Sequence, residues 1–274
     1  MDTAPRVSVV LTDPETAELC RTAAGGPSLT EIVVAGTKAA GARRARGDVL
    51  VFLDAGAEPR GEALTLLVRG VRALQGEAVL IPALAGPDVL VHGYGLELRT
   101  METRPLAPEE LMPAGEPPAL TGGALALTLD LYRRLRGHDP GMSPWGVEDL
   151  DLGLTAWMLG HPIVSDAAAV VGRRPRSHAA PADQILADRI RLAYKHLTHG
   201  VWSEWLERTR ERYPDREPDH PEGLWARAWR RFKHGRPGVE DDRAFIMARR
   251  VRDEFDYADR AGLTWPRLRP WPAP

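Results

Sequence analysis

ARRARGDVLVFLDAGAEP, residues 42–59, leaves a helical pattern begun at Thr37, turns at Gly47-Asp48, and runs through the apolar stretch Val49–Leu53 to stop at Asp54. A short, uninterrupted apolar run between turn residues is the pattern of a strand buried on both faces. The alternation continues on either side. Upstream, Val7–Leu11 and Glu31–Ala35 are β-branched runs with a helix over Pro14–Ala24 between them. Downstream, a helix over Gly61–Leu74 places Leu64, Leu67, Val68 and Val71 on one side and leads to a strand at Ala78–Pro82. After Leu120 come the small-residue strand TGGALALT, a helix over Leu129–Leu135, the segment WGVEDLDLGLTAWMLG that opens as loop and becomes helix, and closing strands at Ile163-Val164 and Ala168–Val171. Strands alternating with helices predict an α/β fold, a parallel sheet wound with helices.

Two regions depart from this rhythm. Residues 87–118 are rich in Pro, Gly and charge, with strands only at Val89–His92 and Gly95–Leu98, and read as a surface excursion. Beyond Pro181 the chain becomes arginine-rich and amphipathic. Leu186, Ile190, Ala193, Leu197 and Val201 recur at helical spacing, Trp225, Ala228, Trp229 and Phe232 do so in a second helix, and Ala244, Ala248, Val251 and Phe255 in a third. The division is therefore a domain at residues 1–180 and a helical extension at 181–274. Its stripes must dock on the first domain or on the same stripes of a second copy, as a homodimer.

The 274 residues carry 36 Lys and Arg against 38 Asp and Glu, a net charge of -2, so no global field draws the chain to nucleic acid or anionic lipid. No stretch approaches the roughly 20 apolar residues of a membrane span. The N-terminus lacks the basic start and long apolar core of a secretory signal. One cysteine, Cys20, excludes an intrachain disulfide and a cysteine-rich zinc site, which fits a cytoplasmic setting. Lysine occurs only at 38, 195 and 233; with 24 prolines, that bias reads as the base composition of a GC-rich genome.

Two constellations could carry chemistry. Asp54 ends a central buried strand, where open α/β sheets bind ligands; a turn or helix cap is the alternative role. Glu148, Asp149 and Asp151 crowd three acids into four residues after a Trp-Gly turn. Crowding of this kind requires a cation, a helix N-terminus or a protonated partner. Dipole-complementing acids account for Asp151, whereas a carboxylate at a pocket mouth beside Trp145 can act as a general base toward a hydroxyl, with Asp149 as the candidate. His196 and His199 have a spacing that permits metal binding but lack a third ligand nearby in sequence, so packing roles fit them better.

In order and spacing, VSVVL, EIVVAG, ARRARGDVLVFLDAGAEP, LTGGALALTLDLYRRLRGHDPGM and WGVEDLDLGLTAWMLG resemble the successive blocks of a GT-A fold glycosyltransferase. The likeness is to the family 2 group and to the galactosyl- and polypeptide N-acetylgalactosaminyltransferases, and spans residues 6 to 180. It implies a mixed sheet flanked by helices, with the helical extension outside it. It makes Asp54 the first acid of a D-x-D or D-x-H motif facing the donor, with Arg43 in the helix before it. Gly122 and Gly123 match the small residues that let the sugars approach the backbone, and Asp139 an acid on the acceptor side, with Trp145. Glu148 and Asp149 match the E-D pair whose Asp is the base of inverting members.

The departures fall at the donor. Gly56 stands at the second ligand position for Mg²⁺ or Mn²⁺, so that donor binding without a metal is the expectation and Mg²⁺ or Mn²⁺ held by Asp54 the alternative. VVAGTKAAG lacks the aspartates of the family's base-binding loop, Thr12-Asp13-Pro14 replaces its opening segment, and VVGRRPRSH puts arginine near a metal-binding histidine's place. A leaving diphosphate needs about two units of positive charge. An arginine contact is worth roughly 4 kcal/mol at an effective dielectric of about 20, so Arg173, Arg174 and Arg176 could take the metal's part, with His178 beside phosphate or acceptor. The resemblance implies sugar transfer from a nucleotide-diphosphate donor to a small-molecule or peptide acceptor, with inversion as the expectation although relatives sharing the Trp-Gly block include retaining enzymes; metal-independent donor binding is what the departures add. The rival is a catalytically silent fold serving as a binding or assembly partner; a nucleotidyltransferase would need a glycine-rich basic loop after the first strand, which is absent.

Overall fold

The computed structural model describes residues 5–23, 29–86, 90–106, 110–111, 119–120, 123–143, 147–174, 180–213 and 222–260. In chain order the strands are β1 (Val7–Leu11), β2 (Leu29–Val34), β3 (Val49–Leu53), β4 (Ala57–Pro59), β5 (Val79–Ala85), β6 (Leu90–Val91), β7 (Tyr94–Glu97), β8 (Glu102–Pro105), β9 (Ala124–Thr128) and β10 (Ile163–Arg173). The helices are α1 (Pro14–Ala23), α2 (Lys38–Arg44), α3 (Ala63–Ala73), α4 (Leu129–Arg134), α5 (Glu148–Met158), α6 (Ala182–His196), α7 (His199–Glu211), α8 (Leu224–Arg249) and α9 (Glu254–Arg260).

The strands assemble in the order β2-β1-β3-β9-β5-β10-β4, with β6 added to β5, while β7 and β8 form a separate hairpin within the excursion. β1 is parallel to β2 and β3, and β5 is parallel to β10, as βαβ winding requires. β9 runs antiparallel to β3 and β5, which makes the sheet mixed. The cause is the excursion: among the described residues between β5 and β9 there is no crossover helix to carry the chain back, and the chain re-enters the sheet with Ala124 paired to Leu53 at the end of β3. The two expected closing strands are one, β10, irregular between Asp166 and Val170.

β3 is buried on both faces. Val49, Val51 and Leu53 pack with Leu67, Val68 and Val71 of α3, while Leu50 and Phe52 pack with Leu131 and Tyr132 of α4 and Leu152 and Ala156 of α5. All eleven residues of α5 are buried, because its other side meets the C-terminal helices. There Leu150, Leu154, Trp157 and Met158 join Leu186, Ile190, Trp202 and Phe232 in one apolar cluster. The stripes beyond Pro181 thus close on the chain's own α/β part. The first stripe is shared by two helices, broken where Leu197 and Thr198 are extended. The second and half of the third, Ala244 and Ala248, lie on the single helix α8, which runs through Pro237 although that residue gives up one intrahelical bond. The third stripe fails past Arg250, and Val251 stands 69% exposed. No helix among the described residues is long and apolar enough to cross a membrane.

Candidate active site

Three segments converge beyond the end of β3. Asp54 follows that strand directly, its N–H bonded to the carbonyl of Gly123 at 3.0 Å where β9 begins. Glu148 and Asp149 open α5, whose N-terminal dipole favours carboxylates there. Lys38 opens α2, whose N-terminus is capped by the Thr37 side chain. A cation at that end of a helix opposes the dipole, and the acids of α5 and β3 compensate it. The Lys38 ammonium lies 2.6 Å from Asp54 Oδ1, 2.5 Å from Asp149 Oδ2 and 3.5 Å from Glu148 Oε1. All four residues are buried.

Asp149 has a second partner. Its Oδ1 meets His138 Nε2 at 3.0 Å, and the other imidazole nitrogen lies 3.2 Å from the Tyr132 hydroxyl, which accepts the His138 N–H at 3.0 Å. Phe52 sets its ring edge-on to His138 at 4.7 Å, so β3 supports the imidazole that holds α5's acid.

Electrostatics separates the two neighbouring acids. Burial would raise Asp149, but Lys38 and His138 outweigh it and hold the carboxyl well below the usual range. Burial pushes Glu148 up to about 7, only partly offset by the more distant Lys38, with Asp149 and Asp54 adding to the rise. Burial works against the Lys38 charge too, yet Asp149, Asp54 and Glu148 together keep it protonated far above its ordinary range. His138 is lowered by burial and Tyr132 raised by burial to about 12, so both are neutral hydrogen-bonding groups at pH 7.

The expected site residues divide accordingly. Asp54, Glu148, Asp149 and Gly123 come together. Asp149 differs from expectation as a base: both its oxygens are engaged and its proton affinity is low, which leaves Glu148 as the carboxyl suited to take a proton near neutrality. Asp139, expected beside the acceptor, lies in a different cluster. It is buried, with Oδ2 2.8 Å from Arg191 Nε and Oδ1 2.9 Å from Arg191 Nη2, and Lys195 is 3.7 Å away. Lys195 also meets Asp151 at 2.8 Å, so that the third acid of the crowded block faces the C-terminal helices and not the Asp54 cluster.

Arg173 and Arg174 are exposed at the end of β10. The Arg174 N–H donates to Gly56 O at 2.9 Å, which brings the arginine segment beside the second motif position, while the Arg174 guanidinium pairs with Glu58. Arg43 is exposed on the last turn of α2, where its charge is felt at Tyr132. Gly122, Trp145, Arg176 and His178 lie outside the described residues. His196 is buried between Thr155 Oγ1 and Leu192 O, whereas His199 is exposed at the start of the next helix, so the two do not form a pair. Lys38, His138 and Tyr132 are the members of the site that sequence reasoning missed.

No protein-family model matches the chain. It is similar to N-acetylgalactosaminyltransferase 6 of Drosophila melanogaster, 28% identical over 188 residues that cover 62% of this chain and 27% of that protein. It is also similar to polypeptide N-acetylgalactosaminyltransferase 11 of Xenopus tropicalis, 26% identical over 194 residues covering 63% and 30% of the two. The chain spans less than a third of the length of these homologues. Among solved structures, GalNAc-T7 with UDP, GalNAc and Mn²⁺ superposes with a TM-score of 0.57 over 96% of this chain and 59% of that one, at 14% identity. The mixed sheet flanked by helices is the GT-A glycosyltransferase fold. A divalent ion does not fit the residues present: Asp54, Glu148 and Asp149 are close enough to share one, their oxygens lying within 4.8 Å of one another, but the Lys38 ammonium already stands among them.

Proposed function

We propose that this chain is a glycosyltransferase that moves a sugar from a nucleotide-diphosphate donor to a hydroxyl, or another nucleophile, on a peptide or small molecule. The observation that carries the reading is the meeting of Asp54, from the end of the central strand, with Glu148 and Asp149, from the start of α5, in one buried cluster. Glu148 takes the acceptor proton, and the acceptor then displaces the nucleotide at the anomeric carbon in line, inverting the sugar. Asp149, fixed by Lys38 and His138, sets the field around Glu148 and stays ionised. Asp54 faces the donor. The carboxylates outnumber the single ammonium, so a diphosphate needs positive charge from the rim; Arg173 and Arg174, beside Gly56, supply it. The word polypeptide in the name of the Xenopus tropicalis homologue favours a peptide as the first acceptor to try.

Residues 1–180 form the catalytic domain in this reading, and 181–274 an extension bracing α5. A cytoplasmic setting accords with the lone, buried Cys20. A dimer through the extension would use the exposed ridge of Val251 and Phe255.

A panel of nucleotide sugars, with chelator present, tests the reading by thermal shift. A donor at about a hundred times its Kd adds about 2.7 kcal/mol of stability. If no donor moves the melting point, the silent-fold reading replaces this one, with Lys38 closing the cluster.

A further inference from the structure

GalNAc-T7 was solved with UDP, GalNAc and Mn²⁺, and in this chain a triad of acids gathers beyond the end of β3, yet the centre of that triad is filled by the chain itself. We propose that Lys38 is the site's built-in cation, so that the native protein holds Asp54, Glu148 and Asp149 together without a divalent ion, and that removing the ammonium opens a divalent-cation site there.

The geometry carries this in three steps. First, hard divalent cations bind oxygen ligands at about 2.0–2.6 Å, so carboxylate oxygens within 4.8 Å of one another can surround a single ion. Second, the Lys38 nitrogen is 2.6 Å from Asp54 Oδ1, 2.5 Å from Asp149 Oδ2 and 3.5 Å from Glu148 Oε1, and so stands among the same three carboxylates that such an ion would have to bridge. Third, nitrogen and ion exclude each other both sterically and by charge, and Lys38 is not free to yield: it is 3% exposed, at the first residue of a helix whose N-cap is formed. Leaving would also strand three buried carboxylates next to one another, which repel strongly in a site of low dielectric. Arginine could not serve, because its planar fork spreads its charge over a width that three converging oxygens do not offer. The charge that holds the acids is therefore the lysine's.

The inference deepens the site of the proposed transferase, but its test contains no nucleotide sugar, so its failure is separate from that of the donor panel. Mn²⁺ is titrated into the native protein, into Lys38→Met, and into Lys38→Met combined with Asp54→Asn, with free Mn²⁺ followed by electron paramagnetic resonance. The expected result is Mn²⁺ binding about tenfold or more tighter in Lys38→Met than in the native protein, and loss of that gain in the double variant. Equal binding by native protein and Lys38→Met overturns the proposal, as does a gain that survives Asp54→Asn. Should Lys38→Met not fold alone, its refolding yield with Mn²⁺ against chelator reads the same question: recovery by the ion supports a vacated cation site, and no recovery refutes it.

Discussion

Replacing Arg191 with Met tests whether the buried ion pair with Asp139 holds the C-terminal helices to the α/β part of the chain. The Asp139 side chain is fully buried and that of Arg191 is 8% exposed. The guanidinium makes two charge-assisted bonds to the carboxylate, at 2.8 and 2.9 Å, and a third from Nη1 to Gly235 O in α8 at 2.7 Å. It passes so close to Gly141 that a Cβ there would lie 2.7 Å from Cζ. One side chain of α6 thus ties the loop after α4 to α8. Methionine fills a similar volume but leaves Asp139 charged, with the Gly141 N–H at 2.8 Å and the Lys195 ammonium at 3.7 Å as its remaining partners among the described residues. Removing one partner of a buried pair costs about 3–5 kcal/mol. For a chain of this size each kcal/mol lowers Tm by about 2–4 °C, so Arg191→Met should melt about 6–20 °C below the native protein by circular dichroism. Adding Asp139→Asn should restore much of the loss, since no lone charge is then buried. A fall of less than about 3 °C for Arg191→Met would refute the reasoning, for the pair would then be worth no more than a surface one.

Turnover should rise with pH through about 7 and level off above, because Glu148 must lose its proton before it can accept one. A rate flat from pH 5 to 8 would return the role of base to Asp149, whose carboxyl is already ionised throughout that window. Gly123→Ala should cost about 1–3 kcal/mol for its φ of +134°, and more because the new Cβ would lie 2.6 Å from Leu84 Cδ2. Leu84→Ala in the same chain should relieve the contact but not the backbone, and an unchanged Tm in Gly123→Ala would remove that glycine from the account of how Asp54 is positioned.

What the sequence disclosed and what it withheld follow from the range of the interactions. The strands β1 and β3 and the helices α1 and α4 were legible because each is written in local periodicity, with turn residues at the ends. β4, three residues long, and β8, wholly exposed, carry no such pattern; each exists because a neighbouring strand offers it a partner. The fused helix α8 was hidden by Pro237 and its flanking glycines, which as sequence signal a break that the packing of Phe232, Val239 and Ile246 against α5 and α6 overrides. Asp139 was drawn to the acceptor by analogy of position. Its partner lies 52 residues away on a helix outside the resemblance, and nothing local announced it.

Lys38 is a different case, since a signal for it did exist. In a chain whose basic residues are nearly all arginine, three lysines remain, and two of them, Lys38 and Lys195, are buried against pairs or triads of acids. A compositional pressure toward arginine is resisted where the side chain must deliver a compact charge down a narrow stem to converging oxygens, a task a planar guanidinium cannot perform. Lys233, which has no such task, lies exposed on α8. The crowded acids at 148, 149 and 151 stated the complementary half of the problem: their charge needed compensation. The sequence reading assigns the arginines at 173, 174 and 176 to a leaving diphosphate, whereas the fold supplies one lysine to each of two groups, Lys38 to the pair at 148 and 149 and Lys195 to Asp151. Residues scarce against a biased background, set against clusters that demand their chemistry, are therefore a pairing that can be sought before any coordinates exist.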